Sequence, residues 1–236
     1  MTNEEKLLFE IIDCFQKHFG KRAILRGGMV LRILGCERFT NDAGYTFVPY
    51  KSKNEIVDDV LASLQTLPGV SLEHSINSKC LRVKIRRDPV AVQVEIKVAK
   101  EETVMVLSNK RLADEMGMPA RLLPVVDLSI ALADKLSAWN ERRLPRDLYD
   151  IHFFLRMGVR PNTDRLVKRL KKPQYSRLVK KSEQFTGSTA DEFYLFLREK
   201  VQRMEVEDIE GPLADSLPEN ELAGLMWRVR AELAKL

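Results

Sequence analysis

The chain has 236 residues, of which 44% are hydrophobic and 31% charged, and its net charge is +5. This length can bury a real core, and the composition excludes disordered, collagen-like and low-complexity proteins. No apolar run approaches the roughly 18 residues that span a bilayer, the acidic N-terminus is unlike a signal peptide, and three widely spaced cysteines argue against a disulfide framework or structural zinc. We therefore predict a globular cytoplasmic protein.

The first part of the chain alternates helices and strands. Apolar residues at helical spacing predict a helix over 3–19 that ends at Gly20. The next predicted elements are a strand at 23–25, a helix at 29–34, a strand from near Phe39 to Pro49 and a helix near 53–66. Alternation of apolar and polar residues then predicts strands over 70–73, 80–86, 90–98 and 103–107.

From Val125 onward, every periodic segment has helical spacing. The predicted helices span 125–140, 146–156, 163–171, 175–183, 190–203 and 219–235. This order predicts an α/β (α+β) fold in two parts: a mixed domain over residues 1–120 with an N-terminal helix, and an all-helical lobe over residues 121–236.

Positive charge is concentrated between Arg160 and Lys181. This segment has nine basic residues and one acid, Asp164, so its charge is +8 and the rest of the chain carries −3. A localised basic field attracts polyanions. A solvated helical face accounts for the same charge equally well.

Candidate residues for phosphate chemistry lie in the first part. Gly27-Gly28 stands between a strand and a helix, where backbone N–H groups suit a phosphate or the glycines serve only a steric need. Asp42 shares a strand face with Gly44, and Glu95 could supply a second carboxylate from a neighbouring strand. Alternatively, Asp42 begins a turn and Glu95 lies on a solvated face.

Two charged residues of the helical part lean toward apolar surfaces. Lys135 lies on the apolar stripe of its helix, so it needs an anion or must extend outward to solvent. Asp147 lies in the first turn of the next helix, where the helix dipole by itself favours an acid. Together they form a second candidate group. The three histidines lack metal-ligand spacing.

Two stretches together resemble the AbiEii/AbiGii toxin family, minimal nucleotidyltransferases of the DNA polymerase β-like superfamily. The first runs from Leu25-Arg26-Gly27-Gly28 to Asn41-Asp42, and the second from Lys135 to Arg146-Asp147-Leu148-Tyr149-Asp150. The resemblance covers about residues 20–170. It implies a nucleotidyltransferase-type mixed sheet with flanking helices, followed by the helical lobe.

The resemblance implies a role for each motif. Gly27 and Gly28 would cradle the nucleotide phosphates, while Asp42 and Glu95 would hold Mg²⁺. Lys135 of the helical lobe would contact the triphosphate, and Asp147 would complete the catalytic site.

The resemblance also implies substrates and partners. Members of the family transfer a nucleotide from an NTP, some of them onto tRNA, and many are toxins paired with an antitoxin protein. The basic segment would then dock RNA through its phosphates. The candidate RNA-binding residues are Lys168, Arg169, Lys171 and Lys172.

Gly44 departs from the family pattern, which has a second metal-binding aspartate at this position. Loss of one carboxylate weakens Mg²⁺ binding and in-line transfer. Three explanations remain open: a degenerate relative that binds nucleotide or RNA without transfer, an inactivating substitution, or a site in which Glu95 and another carboxylate suffice. A further alternative is that the basic segment meets an acidic antitoxin and no RNA.

Overall fold

The computed structural model describes residues 2–174 and 176–236. The chain divides into two compact units, Met1–Asp127 and Leu128–Leu236. The fold class predicted from the sequence is confirmed: a mixed α/β unit precedes a helical one. Within the described residues, no helix is both long and apolar enough to cross a membrane.

The first unit is built on a seven-stranded mixed sheet with strand order β3-β4-β5-β2-β1-β7-β6. Its strands are β1 (Ala23–Arg26), β2 (Asp42–Phe47), β3 (Ser71–Ile76), β4 (Leu81–Arg87), β5 (Val90–Val98), β6 (Val104–Ser108) and β7 (Leu122–Val126). Its helices are α1 (Asn3–Phe19), α2 (Gly28–Ile33), α3 (Val57–Gln65) and α4 (Lys110–Met116).

One face of the sheet carries the core of the first unit. On β2, Tyr45 and Phe47 point to this face, and the ring of Phe15 on α1 lies 5.0 Å and 5.8 Å from their rings. Helix α1 is held at its start by a capping box between Thr2 and Glu5. The opposite face, which carries Asp42 and Gly44, is therefore left for polar residues, because successive side chains alternate between the two faces.

The second unit consists of helices. They are α5 (Leu128–Arg142), α6 (Pro145–Arg156), α7 (Thr163–Leu170), α8 (Ala190–Gln202), α9 (Val206–Glu210), α10 (Glu219–Leu222) and α11 (Leu225–Leu233). Large side chains fill its core, among them Trp139, Tyr149, Phe154 and Phe193, each at most 1% exposed. Pro145 begins α6, where its missing N–H leaves no helical hydrogen bond unmade.

Of the predicted helices, one begins later than predicted, one is absent and one is divided. The predicted 125–140 helix is α5, which begins at Leu128, because the preceding residues belong to β7. Strand β7 lies between β1 and β6 and was not predicted, because Pro124 argues locally against a strand. The predicted 175–183 helix is absent from the described residues 176–183, which form bends and one 3₁₀ turn at Lys181–Glu183. This segment has several basic side chains and few apolar ones, which disfavours a packed helix. Tyr175 lies outside the described residues.

The predicted 219–235 helix is two helices. Gly224 interrupts it with a φ of 69°, a left-handed conformation that glycine adopts without steric cost. Strand β2 also starts at Asp42, later than predicted. Helices α4 and α9 were not predicted, because five to seven residues show too little of the helical period.

Candidate active site

Asp42, Gly44 and Glu95 lie on one face of adjacent strands. In the parallel pairing of β2 with β5, Asp42 is opposite Gln93 and Gly44 is opposite Glu95. Cross-strand partners project to the same side of a sheet, so the two predicted acids share a face. Glu95 is displaced from Asp42 by two residues along the strands.

A hydroxyl group orients the carboxylate of Asp42. Thr40 Oγ1 donates a hydrogen bond of 2.6 Å to Asp42 Oδ1, and Asp42 is solvent-exposed at the start of β2. Gly28 packs closely behind this pair, because a Cβ at Gly28 would lie 3.1 Å from Thr40 Oγ1. The structure thus brings the second glycine of Gly27-Gly28 and the first predicted metal ligand together through Thr40.

The backbone conformation at position 27 requires a residue without a side chain. Its φ is 80°, in the region that residues with a Cβ rarely adopt. Helix α2, which follows it, has only six residues. The backbone conformation therefore accounts for the glycine at position 27, whether or not a phosphate binds here.

Arg26 occupies the space beside Gly44. The two residues are antiparallel partners on β1 and β2, and a Cβ at position 44 would lie 3.2 Å from both Arg26 Cγ and the Arg26 carbonyl oxygen. The stem of a basic side chain therefore lies where a carboxylate at position 44 would begin.

Glu95 is held by two neighbours. Arg82, its partner on β4, donates to Glu95 Oε1 through Nε at 3.2 Å and Nη2 at 2.8 Å, and Gln93 Nε2 donates to the same oxygen at 3.0 Å. The hydrogen bond to Glu95 raises the pKa of Arg82. Any cation that binds Glu95 must compete with this guanidinium.

The helical unit contains a buried group of charges around Lys135. Lys135 Nζ lies 2.5 Å from Asp150 Oδ2 and 3.6 Å from Asp147 Oδ1, and both aspartates are fully buried. Arg142 donates to both oxygens of Asp147, at 2.6 and 2.7 Å. Burial lowers the pKa of Arg142, but the hydrogen bond and charge of Asp147 outweigh that effect and raise it. The anion that Lys135 needs is thus supplied mainly by Asp150.

One family model matches most of the chain. The model described as nucleotidyl transferase AbiEii toxin of a type IV toxin–antitoxin system matches residues 10–233. The chain belongs to the AbiEii family. It is a nucleotidyltransferase toxin by that membership. A comparison with curated protein sequences found no match.

Solved structures share the AbiEii fold of this chain. JHP933 from Helicobacter pylori is 15% identical with a TM-score of 0.60, and the match covers 99% of this chain and 90% of that one. MenT4, a nucleotidyltransferase toxin from Mycobacterium tuberculosis, is 16% identical with a TM-score of 0.59, covering 99% of this chain and 83% of MenT4.

Two carboxylates, those of Asp42 and Glu95, lie on one face of β2 and β5. Among the described residues, no three His, Cys, Asp or Glu side chains are grouped so that they could hold a metal. Mg²⁺ is commonly held by one or two carboxylates together with substrate phosphates. The carboxylates of Asp42 and Glu95 fit that requirement for a single ion, whereas Gly44 supplies no carboxylate for a second.

The predicted RNA-binding residues divide into two groups. Arg169 on α7 donates to Asp134 at 3.2 Å and to Glu141 at 2.7 Å, so it fixes α7 against α5. Lys168, Lys171 and Lys172 are solvent-exposed. The exposed lysines are therefore better placed than Arg169 to meet a polyanion.

The sequence did not single out several residues that contact the predicted ones. In the first unit they are Arg26, Thr40 and Arg82, and in the helical unit they are Arg142 and Asp150. Asp150 had a detectable signal, because it lies three residues after Asp147 and so on the same side of the helix. The contacts of Arg26 and Arg82 depend on strand register, which alternation alone does not fix.

Proposed function

We propose that this AbiEii family member transfers a nucleotide from an NTP to an RNA acceptor, of the tRNA class, and so acts as a growth-inhibiting toxin of the cytoplasm. An RNA hydroxyl loses its proton to water and attacks the α-phosphorus, the bond from that phosphorus to the bridging oxygen breaks, and pyrophosphate leaves. The observation that carries the proposal is the exposed Asp42 carboxylate, oriented by Thr40 beside Gly28 in a chain of this family.

Mg²⁺ is the cofactor that we propose for this reaction. Asp42 and Glu95 would hold it, and the ion would neutralise charge that develops on the phosphates. Thr40 keeps the Asp42 carboxylate in one orientation. Gly28 leaves room for Thr40, and with Gly27 it would border the nucleotide phosphates.

In the helical unit, Lys135 would contact the triphosphate, and Asp147 would complete the site. The buried Asp147 engages Arg142 with both oxygens and approaches Lys135, so it would hold both basic side chains in position. A fixed basic group stabilises developing negative charge without the cost of reorganising at the moment of reaction.

RNA and an antitoxin are the proposed partners. Lys168, Lys171 and Lys172 are exposed basic residues suited to phosphate contacts, which give affinity without sequence selectivity. Arg169 would contribute by keeping α7 in place. The family description as the toxin of a toxin–antitoxin system supports a cognate antitoxin protein.

The test incubates the chain with Mg²⁺, total tRNA and each radiolabelled NTP in turn, beside Asp42→Asn and Gly44→Asp. We expect label on tRNA with the unchanged chain and its loss in Asp42→Asn. Asp88→Asn, outside the site, serves as the matched control and should retain transfer. Equal labelling by the unchanged chain and Asp42→Asn would contradict the role of Asp42.

A second candidate function is a nucleotide- or RNA-binding relative without transfer. The glycine at position 44, with Arg26 lying beside it, favours this alternative because the site has one carboxylate fewer than the family pattern. Label on tRNA only with Gly44→Asp would support it. Binding of NTP and tRNA without label from either version would also support it.

A further inference from the structure

Strand β6 forms one outer edge of the sheet in the first unit. It is the last strand in the strand order, so none of the described strands lies beyond it. Its residues, Val104–Ser108, include no charged side chain and no proline. Edge strands commonly carry such residues, which prevent pairing with a second chain. The opposite edge strand, β3, contains Glu73 and His74, whereas β6 lacks this protection.

The backbone hydrogen bonds of β6 show which of its residues face outward. Asn109 N donates to the carbonyl oxygen of Arg121 at 3.1 Å, where the pairing of β6 with β7 ends. Hydrogen-bonded and non-hydrogen-bonded pairs alternate along an antiparallel ladder. The odd-numbered residues of β6 therefore bond to β7. The N–H and C=O groups of Val104, Val106 and Ser108 point to the open edge.

The side chains at this edge are apolar and exposed. Val104 is 46% exposed and Val106 is 60% exposed. Leu122 of β7, which pairs with Ser108 and so lies on the same face, is 67% exposed. Exposed apolar side chains that lie together, unlike isolated ones, indicate an interaction site. A strand added at this edge would bring its own side chains against the two valines, because cross-strand neighbours lie ~4.5–5.5 Å apart.

The two ends of β6 carry opposite charges. The nearest charged residue before the strand is Glu102, and the nearest after it is Lys110. Val106 lies midway between them in the sequence. If two copies of β6 pair in antiparallel orientation, the acidic end of each strand lies beside the basic end of the other, whereas parallel pairing brings like charges together. The edge is therefore complementary to itself in the antiparallel orientation.

We propose that β6 pairs in antiparallel orientation with β6 of a second copy of this chain, about a two-fold axis at Val106, so that the two sheets become continuous. Every outward-facing residue is used in this register, since Val106 faces Val106 of the second copy and Val104 faces Ser108. These pairs exchange about six backbone hydrogen bonds. The same register brings Glu102 beside Lys110 of the second copy. A two-fold arrangement satisfies both open edges at once and forms a closed dimer.

Sedimentation velocity of the full chain over a range of concentrations, at low ionic strength, tests the proposal. We expect the mass to rise from 27.2 kDa towards twice that value in the micromolar range, because a short strand edge is smaller than a standard interface. Val106→Lys places two like charges at the axis and should abolish the dimer. Ile76→Lys, the same kind of change at an exposed residue of β3, is the matched control and should dimerise as the unchanged chain does.

Charge reversal at the strand ends tests the orientation of the pairing. Glu102→Lys and Lys110→Glu should each weaken self-association severalfold, because the two-fold axis makes every dimer contain two such contacts. The combined variant, Glu102→Lys with Lys110→Glu, restores opposite charges and should dimerise as the unchanged chain does. A combined variant that associates as weakly as the single ones would overturn the antiparallel register.

Two results would overturn the proposal as a whole. One is a Val106→Lys variant that has a native circular dichroism spectrum and dimerises as tightly as the unchanged chain. The other is an unchanged chain that stays monomeric at every concentration, because the edge would then be left for a strand of a different protein. Neither result bears on nucleotide transfer, since the proposal does not depend on the proposed function.

Discussion

His152 makes the stability of the helical unit depend on pH in the mildly acidic range. The side chain is 2% exposed, and neither ring nitrogen has a hydrogen-bond partner among the described residues. Burial, with the nearby charges of Arg156 and Arg228, lowers its pKa from 6.5 to about 4. The unfolded chain therefore binds a proton more readily than the folded chain, so lowering the pH favours unfolding.

The magnitude follows from the two pKa values. Above pH 6.5 the stabilising contribution is fully present, and it is lost as the pH falls toward 4. The expected loss is about 2 kcal/mol between pH 7.5 and pH 5, and about 3 kcal/mol once the pH has passed below the folded pKa. Other groups titrate over the same range, so the contribution is measured as a difference between variants.

Urea unfolding followed by tryptophan fluorescence measures this effect, because both tryptophans, Trp139 and Trp227, lie in the helical unit. His152→Leu removes the imidazole and should remove about 2 kcal/mol of the pH dependence between pH 7.5 and 5. His74→Gln, at an exposed histidine in the first unit, is the control and should leave the dependence unchanged. An identical pH dependence in His152→Leu and the unchanged chain would show that His152 does not cause it.

Three further predictions concern the two candidate groups and the basic segment. Asp150→Asn leaves Lys135 without its closest anion and should lower the free energy of unfolding by about 3–5 kcal/mol in urea titrations, whereas the exposed control Asp215→Asn should not. Gly28→Ala places a methyl group 3.1 Å from Thr40 Oγ1, so it should cost about 1–3 kcal/mol by thermal unfolding and reduce transfer, whereas Gly211→Ala, which meets no atom within 4 Å, should do neither. Replacing Lys168, Lys171 and Lys172 by alanine should reduce the slope of log affinity for tRNA against log salt by about 2 without changing stability, and an unchanged slope would count against these contacts.

The sequence predicted most of the strands because their patterns are local. Val90–Val98 alternates without interruption, and the predicted bounds of β5 are those of the structure. Strand β7 was missed because Pro124 argues locally against a strand, while its pairing with β1 and β6 is a tertiary property. Charge repulsion in the basic segment likewise outweighed a weak helical pattern at 175–183.

The sequence indicated which residues form the candidate site, but it did not indicate most of their contacts. The shared face of Asp42 and Gly44 follows from spacing on one strand, and their register with Glu95 required the sheet. The approach of Arg26 to Gly44 is a packing fact that no spacing reveals. The choice of Asp150 as the main partner of Lys135 also depends on side-chain distances within the folded helices.

The most direct test of nucleotide transfer to RNA is the intact mass of tRNA after incubation with the chain, Mg²⁺ and a mixture of the four NTPs. We expect that tRNA gains mass in whole nucleotide increments and that Asp42→Asn abolishes the gain. An unchanged tRNA mass with the unchanged chain, or an equal gain with Asp42→Asn, would contradict it.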